Sequence, residues 1–316
     1  MNGIITGHNN FQYKVHASWG DLPPQVYPVK DWHEMVITAD GLLYLLTNLK
    51  TNNNLFMKKH DNEFNYHHLN EDALHFFKDN GYLILKDILT HEGLEKMRAE
   101  CMSAWNKEKE SFDPSKTWLQ NSLLVNIHHQ SPIVKAYYFE GPMVDIASQL
   151  IGPNIKGATS QLTFKMCGNT KPFGWHQDNG YGELEPYNAL TTLTALDDTD
   201  RGNGCLWLIP GSHTGGQVRV KQTEEQKKSN SEIIVAADDS LAVPMEIKAG
   251  DALIFSCWML HKSDGNYSTD RDRRILFLRY ADADAVEVYN ERKPRLGRLV
   301  KGETKFPEVE HFEAEL

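Results

Sequence analysis

The stretch Gly174-Trp175-His176-Gln177-Asp178-Asn179-Gly180-Tyr181 sets an imidazole and a carboxylate two residues apart. On an extended strand such residues point to the same side. A neutral histidine and an aspartate so placed can hold two adjacent positions of one metal ion. A third ligand would complete a 2-His-1-carboxylate face, which suits non-haem Fe(II) and leaves the opposite positions open for a cosubstrate and oxygen. His261, far along the chain, is the candidate for that third ligand. A His-x-Asp tripeptide carries little weight alone in a chain with 14 histidines, where surface and core pairs are commoner. The surrounding elements must supply the context.

From Lys156 onward the pattern is mostly β. Gln161-Leu162-Thr163-Phe164-Lys165-Met166 alternates strictly, so Gln161, Thr163 and Lys165 share one face that is solvent-exposed or lines a wet cavity. Leu190–Leu196 and Cys205–Ile209 read as further strands, the latter stopped by Pro210-Gly211-Ser212-His213. Ala249-Gly250-Asp251 is a tight turn, and Ala252 to His261 is apolar on both faces. That predicts one doubly buried strand ending at His261, on the side of Phe255, Cys257 and Met259. Arg273 to Tyr280 is the last strong strand. Residues 222–240 are charged and read as a solvated surface insertion rather than a lid.

Ahead of these strands lies a helical front. Asn70 caps a helix with Ala73, Phe76 and Phe77 on one face, ended by Asn80-Gly81. Tyr82–Leu85 is a short strand. Thr90 caps a second helix with Leu94, Met97, Cys101, Ala104 and Trp105 at helical spacing. A third runs from about Pro142 to Leu150, with Met143, Ile146, Ala147 and Leu150 as its apolar stripe. Many short strands behind a helical front predict a mainly β fold with flanking helices, a double-stranded β-helix (a cupin-like jelly roll).

Residues 1–66 differ in texture. Met35–Thr38 and Leu42–Leu46 alternate with the turn signals Ala39-Asp40-Gly41 and Asn52-Asn53-Asn54, giving a small β-meander similar in layout to one propeller blade. No second copy follows, so this reads as a β-rich extension that packs on the main domain, 67–316, or on a second subunit in a homo-oligomer.

Composition narrows the function classes. The chain has 316 residues, 40% hydrophobic, with a formal net charge of −10 and no basic run, which argues against nucleic acid. Four scattered cysteines without a CxxC pair read as reduced thiols of a cytoplasmic protein. No basic segment followed by an apolar run opens the sequence, so no signal peptide is expected. No apolar run is long enough for a membrane span.

Trp175-His176-Gln177-Asp178, Asn203-Gly204-Cys205-Leu206, Pro210-Gly211-Ser212-His213, Gly250-Asp251 and His261-Lys262-Ser263, then Arg273, occur in one order. That order resembles the phytanoyl-CoA dioxygenase family of Fe(II)/2-oxoglutarate-dependent oxygenases, from about Leu69 to Ala283. The resemblance implies His176, Asp178 and His261 as iron ligands and catalytic centre. It implies Arg273 as the anchor of the distal carboxylate of 2-oxoglutarate, a bidentate partner for a guanidinium. Arg274 is the rival, since one residue of slip turns a strand over, but place in the motif favours Arg273. Ser263, two past His261, and Gln161, by its offset from Gly152-Pro153-Asn154, match cosubstrate-contacting positions.

One departure is Leu193, where the family often carries Trp; it leaves room beside the cosubstrate. Asp178 stands where related halogenases carry a small residue, which implies hydroxylation. The implied reaction couples O2 and decarboxylation of 2-oxoglutarate to succinate with oxidation of a small organic metabolite. The alternatives are desaturation, cyclisation or epimerisation at the same centre, or a non-catalytic jelly-roll binding protein, against which the intact ligand set and Arg273 count.

The other polar and aromatic residues have plainer readings. Asn179 and Tyr181 are placed to touch substrate, and Asn126 and His128 to approach the site mouth. His67-His68 and His128-His129 read as solvated or capping pairs, His213 as a turn-fixing residue, and Trp175 and Trp207 as core.

Overall fold

The computed structural model describes residues 60–108, 122–178, 184–218 and 235–316, and ahead of them the backbone of four strands. It comprises two compact units, Met1–Lys59 and His60–Leu316. In the first, β1 (Ile4–His8) pairs antiparallel with β2 (Phe11–Val15), and β3 (Trp32–Ile37) with β4 (Leu43–Thr47). Of the expected strand pieces at 35–38 and 42–46, residues 35–37 fall in β3 and 43–46 in β4, while Thr38 and Leu42 lie outside the described residues. Ala39-Asp40-Gly41 and Asn52-Asn53-Asn54 lie outside the described residues.

The second unit begins with Phe64, fully buried and 5.1 Å from the Tyr137 ring between centroids. Helix α1 (Glu71–Asn80) starts where the Asn70 side chain accepts from the Ala73 N–H at 2.9 Å. It stops at Gly81, whose φ of 79° is the left-handed conformation glycine adopts without strain. Ala73 and Phe77 pack on the core, but Phe76 is exposed and meets only the edge of the Tyr82 ring.

Strand β5 (Tyr82–Leu85) leads to α2 (His91–Glu108), where the Thr90 hydroxyl accepts the Gly93 N–H at 3.0 Å. Leu94, Met97, Cys101, Ala104 and Trp105 are its buried stripe, as the helical spacing predicts. After β6 (Leu123–Val125) comes a helix the sequence analysis omits, α3 (Pro132–Phe139). Its signal was present: Ser131 caps the Val134 N–H at 3.2 Å, and Pro132 occupies the first turn, where its missing N–H costs nothing. Helix α4 (Pro142–Ile151) completes the layer, with Met143, Ile146 and Ala147 buried.

The strands that follow are β7 (Ile155–Lys165), β8 (Phe173–His176), β9 (Leu184–Glu185), β10 (Ala189–Ala195), β11 (Leu206–Leu208) and β12 (Val243–Met245). They continue as β13 (Ala252–Ser256), β14 (His261–Ser263), β15 (Arg273–Asp282), β16 (Val286–Glu287), β17 (Lys293–Pro294) and β18 (Arg298–Lys301), before a short α5 (Pro307–His311). The major sheet runs β18-β7-β15-β10-β13-β5, with β6 also on β7; the minor sheet runs β12-β11-β14-β8. A small third sheet is β17-β16-β9. All pairings are antiparallel, and two facing sheets with helices on one outer side make the jelly roll expected.

Alternation along the major sheet separates two cores. Leu162, Phe164, Leu276 and Leu278 face the helices with Met97, Tyr137 and Met143; Leu193, Leu253, Phe255 and Ile275 face the minor sheet with Leu208 and Met245. Burial of this much apolar side chain is the main stabilising term.

The expectation of one strand over 252–261 is overturned. The chain leaves the major sheet after Ser256, turns with the Met259 N–H donating to the Ser256 carbonyl at 2.8 Å, and re-enters the minor sheet at His261. A doubly apolar run looks the same whether it is one buried strand or two segments joined by a buried turn. The crossover moves His261 from the wall of the cavity to its far side.

Candidate active site

Strands β8 and β14 are neighbours, and His176 is directly opposite His261 in their register, with ring centroids 4.1 Å apart. Each ring is fixed by its own strand: His176 Nδ1 donates to the Gly174 carbonyl at 2.8 Å, and His261 Nδ1 to the Met259 carbonyl at 2.9 Å. A carbonyl oxygen can only accept, so each Nδ1 carries the proton and each Nε2 presents a lone pair.

Those lone pairs converge on Asp178, whose Oδ1 lies 4.0 Å from His176 Nε2 and 3.5 Å from His261 Nε2. Three electron-rich atoms facing one another in a buried place repel unless a cation stands between them. The donor set therefore fits a divalent metal ion. All three candidate ligand atoms lie within 4.8 Å of each other.

The supporting groups strengthen this geometry. Thr191 Oγ1 on β10 donates to Asp178 Oδ2, leaving Oδ1 for the histidine side. Arg279 Nη2 on β15 lies 3.2 Å from Oδ1. Burial alone would raise the Asp178 pKa; Arg279, then His261, outweigh it and hold the carboxyl well below the usual range. Burial, then the neighbouring His261, pushes His176 down to about 3, so it is neutral and ready to ligate. Gln177 points the other way: its Nε2 donates to the Gly216 and Trp258 carbonyls at 2.9 and 2.6 Å, and its Oε1 accepts the Val218 N–H at 2.7 Å. It thereby pins both flanking loops behind the two ligands.

A cavity of about 360 Å³ opens beside this cluster. Arg273 lines it and is 2% exposed; its Nη1 donates to the Gly204 carbonyl at 2.6 Å, and its buried Nε has no partner. No carboxylate among the described residues pairs with it, and burial pulls its pKa down to about 10. Arg274 points to the other face, where Nε and Nη2 clasp the two Asp197 oxygens at 2.8 and 2.6 Å. Gln161, Thr163 and Lys165 line the cavity, so the alternating polar row faces a wet interior rather than solvent. Ser263 is there too, its Oγ accepting from Lys165 Nζ at 2.9 Å. Leu193, Phe255, Ile275 and Phe277 form the apolar wall.

The remaining motif residues hold this frame. Gly204, at φ 84°, sits where a Cβ would lie 2.6 Å from the Asp264 carbonyl, and only glycine lets its own carbonyl reach Arg273. Asn203 braces that loop through the Asp200 N–H and Asp198 carbonyl, both at 2.8 Å. Ser212 Oγ accepts the Leu260 N–H at 2.9 Å, one residue before His261. Asp251 gathers Lys86 Nζ, the Asp87 N–H and the Lys248 N–H at 2.8 to 3.2 Å, and has no part in the cavity.

His213 fixes its turn by donating to the Lys78 carbonyl at 3.1 Å. Trp175 is buried and its indole N–H donates to Asp239 at 3.0 Å; Trp207 is half-buried beside it. Val235 packs on Trp175, so the described end of the charged insertion is anchored in a small core; residues 222–234 and the positions of Asn179 and Tyr181 lie outside the described residues.

His128 does not approach the cavity mouth. It is buried on the helix side of β7, where its Nδ1 meets Ser160 Oγ at 2.6 Å and its Nε2 meets Glu313 Oε2 at 3.1 Å. His129 Nε2 meets the other Glu313 oxygen at 2.8 Å. Arg279, Thr191 and Lys165 are the site residues that motif reasoning passed over. Strand phase could have found Arg279, since Arg273, Ile275, Phe277 and Arg279 share one face.

The sequence profile of the phytanoyl-CoA dioxygenase (PhyH) family matches residues 77–275. The chain belongs to the phytanoyl-CoA dioxygenase family. Its ligand cluster and most of its cavity residues fall inside that span. Phytanoyl-CoA dioxygenase 1 of Oryza sativa subsp. japonica is 26% identical over 257 residues, covering 69% of this chain and 91% of the rice protein. Among solved structures, EctD from S. alaskensis with 2-oxoglutarate and 5-hydroxyectoine superposes with a TM-score of 0.57 at 21% identity, over 78% of this chain and 93% of that one. The non-haem α-ketoglutarate-dependent carbocyclase SnoK from nogalamycin biosynthesis has a TM-score of 0.56 at 21% identity, over 74% and 95%. This phytanoyl-CoA dioxygenase family member is thus a non-haem Fe(II)/2-oxoglutarate-dependent oxygenase by family, with the fold of that group. Among the described residues, no helix is long and apolar enough to cross a membrane.

Proposed function

We propose that this chain hydroxylates a small organic metabolite, with His176, Asp178 and His261 holding Fe(II) and Arg273 anchoring 2-oxoglutarate. The observation that carries this is the convergence of two Nε2 lone pairs and Asp178 Oδ1, beside a buried guanidinium with no carboxylate of its own. Bound iron, O2 and 2-oxoglutarate together supply the oxidising chemistry, which ends in succinate, CO2 and oxidised product.

The chain's own residues place and shield the reactants. Arg273, buried and with no carboxylate partner among the described residues, gains most from a carboxylate delivered to its open side. Lys165 Nζ donates a hydrogen bond to Ser263 Oγ, which leaves the Ser263 hydroxyl hydrogen free to turn toward the cosubstrate. Gln161 and Thr163 offer further polar contacts along the same wall. Leu193, Phe255, Ile275 and Phe277 keep that end dry, so its charge pairing is not weakened by solvent. Thr191 and the two carbonyl-bound imidazoles fix the ligands before metal arrives.

Asp178 fills the third ligand position, which favours hydroxylation over halogenation; desaturation, cyclisation and epimerisation would use the same ligand set. We assign the chemistry wholly to the second unit, place the protein in the cytoplasm, and assign the first unit to contact with a second subunit in a homo-oligomer. The test is succinate release by protein reconstituted anaerobically with Fe(II), then exposed to O2 and 2-oxoglutarate. Iron-dependent succinate formation, absent in Asp178→Ala, is expected; equal succinate with and without iron would overturn the assignment.

A further inference from the structure

The cavity is more basic than the reaction of 2-oxoglutarate requires. Among the described residues Asp178 is the only acid lining it, against Lys165, Lys262, Arg273, Arg279 and Arg295. Most of these cations are accounted for. Lys262 pairs with Asp239 at 2.5 Å, Arg295 with Glu287 at 3.2 Å, and Lys165 is held by Ser263 and its neighbouring carbonyl. Arg273 serves the cosubstrate in the proposal above.

Arg279 remains. Its guanidinium is 12% exposed, its Nε is buried without a partner, and Asp178 is the only described carboxylate within ion-pair distance. A metal bound at Asp178 Oδ1 claims the same oxygen, 3.2 Å from Arg279 Nη2. Arg279 then faces a divalent cation across a buried gap, and a second anion is needed to offset the two like charges.

Position separates that anion from the cosubstrate. Arg273 and Arg279 point into one cavity from opposite ends of one strand face, with Ile275 and Phe277 between them. At the usual strand rise their Cα atoms are ~20 Å apart. Thr159, opposite Arg279 in register, together with Tyr289 and Arg295 lines the end away from Arg273. Tyr289 is 53% exposed, which makes this end the open one.

We propose that Arg279, flanked by Thr159, Tyr289 and Arg295, is the substrate-anchoring subsite, and that the substrate is a small molecule bearing a carboxylate. The inference rests on the oxygenase reading and deepens it. The carboxylate docks on Arg279 from the open end, and the carbon to be oxidised lies toward His176 and His261.

The test uses the full chain, anaerobic and loaded with Fe(II) and 2-oxoglutarate, whose charge-transfer absorption reports cosubstrate binding and whose perturbation reports a second ligand. The probes are straight-chain monocarboxylates from acetate to octanoate and the corresponding primary amides. At least one acid should bind about thirtyfold or more tightly than its amide. Arg279→Gln should abolish that preference and Arg279→Lys keep part of it, with acid affinity falling at least about tenfold further than 2-oxoglutarate affinity. Wild-type protein that binds acids and amides alike overturns the subsite, and does so without any variant having to fold. Equal losses of acid and 2-oxoglutarate in Arg279→Gln also overturn it, because Arg279 would then serve the cosubstrate. If wild-type protein forms no absorption band, the oxygenase assignment itself falls, and the subsite with it.

Discussion

Two places among the described residues bring two imidazoles and one carboxylate within 4.8 Å: His176, His261 and Asp178, and His128, His129 and Glu313. By residue type and distance they are alike. They differ in what holds the other ring nitrogen. In the first cluster both Nδ1 atoms are committed to carbonyls, which forces two lone pairs toward the acid. In the second, His128 Nδ1 meets a serine hydroxyl, which can itself donate. His128 Nε2 is then free to carry its proton to Glu313, and His129 donates to the other oxygen. The first cluster points two lone pairs at a carboxylate and fits a metal ion between them; the second is a closed hydrogen-bonded clasp that ties the segment after α5 to the back of β7. The hydrogen bond made by the remote nitrogen decides between ligand and donor.

The largest contrast should come from removing one member of each cluster. His261→Ala should reduce iron-dependent succinate release by more than about 100-fold, whereas Glu313→Ala should leave it within about twofold. Next come the adjacent arginines. Arg273→Gln should raise the KM for 2-oxoglutarate on the order of 100-fold, the cost of withdrawing a buried charged anchor. Arg274→Gln, which breaks only the Asp197 clasp, should leave that KM within about twofold and lower stability by about 1 kcal/mol.

Smaller is Thr191→Val, which removes the hydrogen bond to Asp178 Oδ2. It should weaken metal binding 10- to 100-fold, measured by competition with a chromophoric chelator, with little change in fold by circular dichroism. A pH effect on metal-free protein is read in stability rather than in binding. His176 is held near 3 when folded, below its ordinary 6.5, so the unfolded state binds the extra proton between those values. Stability is therefore fully present above about pH 6.5 and falls by about 1.4 kcal/mol per unit below it, until about pH 3. Chemical denaturation at pH 7 and 5.5 should show that slope, and His176→Asn should remove its share.

What could be foreseen follows from period and chemistry. Strand alternation put Gln161, Thr163 and Lys165 on one face; the His-x-Asp pair does come together, but β8 ends at His176 and Asp178 reaches the site from the turn beyond it rather than from the strand. Placing His261 needed motif order, because its partner strand lies far away in the chain. Strand phase left Arg273 and Arg274 undecided, and packing separates them: Arg274 meets Asp197 on its side, while no described carboxylate pairs with Arg273. The turn after Ser256 could not be read, since its residues are as apolar as the strands it joins. Strand phase places Arg279 on the cavity face with Arg273, but one charge in a strand does not say which buried acid it will face. The clasp at Glu313 depends on a contact between segments remote in sequence, and no local pattern announces it.

Anaerobic titration with Fe(II), counting bound metal in wild type, Asp178→Ala and Glu313→Ala, tests the central claim most directly. The account predicts one equivalent in wild type, one in Glu313→Ala and none in Asp178→Ala. Iron retained by Asp178→Ala, or lost from Glu313→Ala, would contradict it.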